Sequence, residues 1–103
     1  MLKIKLMQAN GEEKTFTQEF VSAKSFRKVI EFGVEAESGK LSELEQLDKM
    51  VSLVASLFKD EAVNFDSIYE GLSTENFIDE LQAVIEEVTN PISAKNSLAK
   101  VTK

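Results

Sequence analysis

Cysteine and histidine are both absent from this 103-residue chain, and proline occurs once. Without cysteine there can be no disulfide and no thiolate metal ligand, and an intracellular setting is the natural expectation. With histidine missing as well, zinc centres, histidine-based triads and Cys–His nucleophilic pairs are excluded, so no metal or other cofactor is expected. Long apolar runs are lacking too. Nothing approaches a membrane span, and Met1 to Met7 is too short and too alternating for a signal peptide. Basic residues are outnumbered 12 to 18, giving a net charge of −6, which argues against nucleic acid as a partner because phosphate contacts require a basic surface. A cytoplasmic protein with neither nucleic-acid nor membrane partners is the expectation.

Hydrophobic residues make up 43% of the chain, a globular composition, and the length suits one domain with a single modest core. Charge divides the chain in two. All 18 acidic residues lie at or before Glu87, where the net charge is −9, whereas Lys95, Lys100 and Lys103 leave the remainder at +3. The expected organisation is one domain over 1–90 followed by a basic, flexible tail over 91–103.

Leu2, Ile4 and Leu6 alternate with Lys3 and Lys5, the period of a half-buried strand. Asn10-Gly11 signals a hairpin, and Lys14 to Thr17 supplies the return strand. Side-chain parity selects the loop. A two-residue turn would set Phe16 opposite Lys5, whereas a three-residue loop, Ala9-Asn10-Gly11, sets it opposite Ile4 with Gly11 left-handed. Ser22 then caps a helix from Ala23 to about Ala36, with Phe26, Val29, Ile30, Gly33 and Val34 as its inner face. Gly33 is read as the mark of a close helix crossing. Ser38-Gly39-Lys40 breaks the chain. Ser42 and Glu45 stand at capping-box spacing before the most apolar segment. There Leu44, Leu47, Val51, Val54 and Phe58 form one stripe, widened by Met50, Leu53 and Leu57, as befits a central helix packed on both the first and the last.

The chain is organised around 63–88. Asn64 caps a short helix, and Gly71 is expected to end it in the left-handed conformation. Ser73 or Thr74 caps a longer helix, whose Phe77, Leu81, Val84, Ile85 and Val88 recur at helical spacing. Asn90-Pro91 is expected to end that helix. The fold expected from these pieces is α+β and mainly helical: an N-terminal β-hairpin, three principal helices and a short helical turn at 65–70.

The run Phe65-Asp66-x-Ile68-Tyr69-x-Gly71-Leu72, followed by Phe77-x-x-x-Leu81-x-x-x-Ile85-x-x-Val88, resembles the tail assembly chaperones of long-tailed bacteriophages of Gram-positive hosts. The likeness covers the chain from its start to about Thr89, since the hairpin and the preceding helices belong to the same pattern. It implies a non-catalytic chaperone of phage tail assembly that binds the tape measure protein, helps recruit tail tube subunits and is absent from the mature virion. It implies too that a longer frameshifted form is often made. A different class stays open: a small acidic adaptor or inhibitor that masks a basic partner, steered by its charge.

No phosphate-binding glycine loop, dinucleotide fingerprint or nucleophile elbow is present. Glu12-Glu13, Asp60-Glu61 and Glu86-Glu87 are adjacent pairs that do not face one another on a helix, so no enzyme is expected. The oxygen-rich stretch Asp60, Glu61, Asn64, Asp66 and Glu70 lacks the spacing of a calcium loop. The expected functional feature is an apolar partner-binding patch around Ile68, Tyr69 and Ile78, where the short helix meets the longer one; such a patch also admits self-association.

Overall fold

The computed structural model describes the backbone of residues 1–102 and the side chains of residues 1–90. Strands β1 (Leu2–Met7) and β2 (Glu13–Gln18) form an antiparallel hairpin, and helices α1 (Ala23–Glu37), α2 (Glu43–Leu57), α3 (Phe65–Gly71) and α4 (Phe77–Thr102) follow. This is the expected α+β, mainly helical architecture.

The hairpin adopts the register that parity selects. Ile4 stands opposite Phe16. The Gln8 N–H donates to the Glu12 carbonyl at 2.7 Å, closing the three-residue loop, and Gly11 takes φ +87°. The inner face of β1 is wholly apolar and sealed: Leu2, Ile4 and Leu6 are all 1% exposed or less. They meet α3 and α4, so the strand forms part of the central layer. Burying a side chain of this size contributes about 1.5–3 kcal/mol, which makes β1 a principal contributor to the core.

Helix starts follow local chemistry. The Ser22 hydroxyl accepts from the Ser25 N–H at 3.3 Å at the head of α1. Ser42 and Glu45 exchange bonds of 3.2 and 3.1 Å at the head of α2. These bonds from Ser42 hold the Glu45 carboxyl below the usual carboxylate range. Asn64 and Ser67 form a second reciprocal box at the head of α3. Ahead of α4, Ser73 accepts the Asn76 N–H and so caps a turn over 73–76, while the helix proper starts at Phe77.

α2 packs against α1, α3 and α4, the central position that its apolar breadth implies. Val51, Leu53, Val54, Leu57 and Phe58 are buried, Leu47 is half-buried, and Leu44 in the first turn of α2 is 66% exposed. Leu81, Val84 and Val88 carry α4 into the same core.

Four expectations are corrected. On α1 the inner stripe is Phe26, Val29, Phe32 and Ala36, one step round from the expected face, so Ile30 and Val34 stand exposed. Gly33 marks no crossing, since an added Cβ would meet nothing within 4 Å. Gly71 is not left-handed; among the described residues only Gly11 and Gly39 have positive φ. Its need for glycine is steric, because a Cβ there would lie 2.8 Å from Leu6 Cβ and 3.2 Å from Leu6 Cα. Finally, α4 continues through Pro91 to Thr102. An interior proline forfeits one hydrogen bond and crowds a carbonyl, at about 3 kcal/mol, a penalty that disfavours helix without forbidding it. The side chains of the basic tail expected over 91–103 lie outside the described residues.

Candidate partner-binding surface

The three residues expected to form a patch have different fates. Ile68 is fully buried beneath α3, so it belongs to the core and is removed from the surface. A seven-residue helix that packs on both β1 and α2 has its middle turn enclosed.

Tyr69 is half-buried and held on three sides. Its hydroxyl donates to Asp48 Oδ1 of α2 at 2.6 Å. Its ring meets Phe65 edge-on at 4.9 Å and stacks on Phe77 at 5.3 Å. Burial, with the bond to the Asp48 carboxylate second, pushes the Tyr69 hydroxyl up to about 12. Such a fixed aromatic presents an apolar edge without the entropy loss of ordering a loose side chain.

Ile78 is 43% exposed and points to the other side of Phe77's turn, toward α1 and α2. There it lines an open groove of about 280 Å³ together with Phe32, Ala36, Leu47 and Met50. Two contacts set the α1–α2 spacing beside the groove. Gln46 Nε2 donates to the Ala36 carbonyl at 3.2 Å, and Lys49 pairs with Glu35 at 3.0 Å. Glu43 and Gln46 are the polar residues of its lining. The surface is thus an apolar trough with one carboxylate, Glu43, in its lining. The breadth of the apolar stripe on α2 was its sequence signal; the contribution of Phe32 depended on the rotation of α1.

The arrangement holds no reactive constellation among the described residues. The adjacent carboxylate pairs at 12–13, 60–61 and 86–87 are exposed, and no group of three or more acidic side chains gathers as a metal site would need. Every buried side-chain nitrogen or oxygen described has a hydrogen-bond partner, so none waits for a ligand. No described helix is long and apolar enough to cross a membrane.

Comparison with known families gives a match along the whole chain: a model described as phage tail chaperone protein covers residues 1–103. The chain belongs to the phage tail chaperone family. No curated protein and no solved structure gives a match. Membership gives this phage tail chaperone a role in tail assembly and implies interaction with tail proteins, and it places the fold among proteins that handle other chains.

Proposed function

We propose that this tail chaperone binds the tape measure protein as its client in the host cytoplasm and helps bring tail tube subunits to it. The observation that supports the reading is the open apolar groove lined by Phe32, Leu47, Met50 and Ile78, on a fold belonging to the tail chaperone family. A long apolar helix kept from aggregating needs many weak contacts of this kind, spread over many copies. The excess negative charge keeps the loaded copies soluble. Tyr69 and Ile78 remain the proposed contact residues, exposed Leu44 on the first turn of α2 is added to them, and Ile68 acts only from beneath.

Co-expression with a tape measure fragment tests this. The double substitution Ile78→Asp with Leu44→Asp, both on exposed residues, is expected to abolish co-solubilisation while leaving the melting curve in place. A double variant that still holds the fragment soluble overturns the assignment. Binding that survives the double variant yet collapses with salt would instead favour an acidic adaptor acting through charge.

A further inference from the structure

We propose that the outer face of α1 pairs antiparallel with the same face of a second copy, a two-fold contact that neither the core nor the client surface uses. None of Tyr69, Ile78 or Leu44 takes part, so this contact and the client reading stand or fall separately.

Ala23, Arg27, Ile30, Val34 and Glu37 are all exposed and recur at alternating steps of four and three. That spacing is the seam of a paired helix, and it lies away from the Val29, Phe32 and Ala36 stripe that faces inward. At its centre Ile30 is 47% and Val34 65% exposed. Both line an open hollow of about 510 Å³ with Glu31, Glu35, Ser38 and Lys40. Gly33 flanks the seam, and an added Cβ there would meet nothing within 4 Å, so this turn leaves room for an approaching helix.

Charge then selects the partner and its direction. The first half of α1 carries Lys24, Arg27 and Lys28, and the second half carries Glu31, Glu35 and Glu37. A parallel copy would set like charge against like, whereas an antiparallel copy sets each basic half against an acidic one. With the two-fold axis at position 32, Ile30 stands opposite the second copy's Val34, and Arg27 opposite its Glu37. Each contact occurs twice, as an isologous interface requires. Arg27 already pairs with Glu31 at 2.8 Å, and its fork of donors can hold a second carboxylate. A client helix would have to bring this charge order in reverse; a second copy brings it by symmetry. Two helices of 15 residues bury less than a standard interface, so the pairing is weak and depends on concentration.

The chain has no cysteine, so single cysteines can report the contact in the purified full-length chain without client. In the antiparallel pair, position 27 meets position 37 of the other copy. The two copies of position 27 lie about 15 Å apart along the axis, beyond disulfide reach, and so do the two copies of position 37. Arg27→Cys and Glu37→Cys are therefore each expected to stay monomeric on mild oxidation. Their mixture is expected to give the cross-linked dimer in at least tenfold higher yield. Val34→Asp, placed in both chains, is expected to lower that yield at least tenfold, and Ile30→Asp is the second seam variant should Val34→Asp fail to fold. A mixture that gives no cross-link overturns the proposal. So does either variant cross-linking to itself as readily as in the mixture, or a yield that the folded seam variants leave unchanged. Loss of tape measure co-solubilisation on Val34→Asp, in a chain whose cysteine variants do not cross-link, assigns the face to the client and overturns the pairing.

Discussion

β1 and α1 are both amphipathic, yet the molecule treats them in opposite ways. β1 buries every apolar residue on its inner face, and α3 approaches it so closely that Gly71 cannot carry a side chain. α1 has five large apolar residues, of which only Val29 is fully buried; Phe26 and Phe32 are partly covered, and Ile30 and Val34 face outward. A strand that packs against two helices loses all its apolar surface to the core. A helix that touches the core along one seam keeps a wide margin that can be used elsewhere. The hairpin's inner face is spent on the core, and the proposed recognition surface lies where α1, α2 and the first turn of α4 leave an open apolar groove.

The sharpest way to break this contrast is to truncate matched residues on the two elements. Ile4→Ala should destabilise the fold by about 2–5 kcal/mol, as buried large-to-small changes do, whereas Val34→Ala on the outer face of α1 should stay within about 0.5 kcal/mol. Equal losses in chemical denaturation would show that α1 is as deeply packed as β1.

The two helical glycines sharpen the comparison next. Gly71→Ala forces a Cβ against the β1 backbone and should cost about 1–3 kcal/mol, the range for overpacking. Gly33→Ala meets open space and should stabilise α1 by up to about 1 kcal/mol. Opposite shifts in melting temperature are therefore expected from one substitution type, and shifts of the same sign would refute the steric account of Gly71.

Smallest is the effect at the link between α3 and α2. Tyr69→Phe removes the bond to Asp48 and should cost about 1 kcal/mol near neutral pH. The fold favours the neutral phenol, raising it to about 12 from an ordinary value of 10.0. The stability it gives is therefore complete below about pH 10 and declines as pH rises toward about 12. The gap between wild type and Tyr69→Phe should narrow over that window; a constant gap would mean that the hydroxyl bond contributes nothing that titrates.

What could be read from the residues alone follows the range of the forces involved. The hairpin register was legible because strand parity allows one loop length to place Phe16 beside Ile4. The caps at Ser22, Ser42 and Asn64 were legible because a cap is decided within four residues. The rotation of α1 was not, since Phe26 and Val29 belong to either of two overlapping stripes. Only the neighbouring helix decides whether Ile30 or Phe32 completes the set. Gly71 shows the same limit: glycine was recognised as required, but its reason lay in Leu6, distant in sequence and adjacent in space. Around the proposed partner surface, the exposure of Ile78 was legible from its place at the edge of the α4 stripe, while Ile68 was misplaced because the depth of a short helix depends on the strand beneath it.

The placement of β1 also has a consequence for the order in which the chain matures. The strand precedes the starts of the helices that cover it by about 60–75 residues. A ribosome adding about 5–20 residues per second therefore leaves Leu2, Ile4 and Leu6 uncovered for several seconds after they are made. A lone hairpin is at best marginal in water, so little holds that apolar row in place meanwhile. Cooperative closure waits for α3 and α4, and for several seconds the nascent chaperone itself exposes an apolar strand with nothing to cover it.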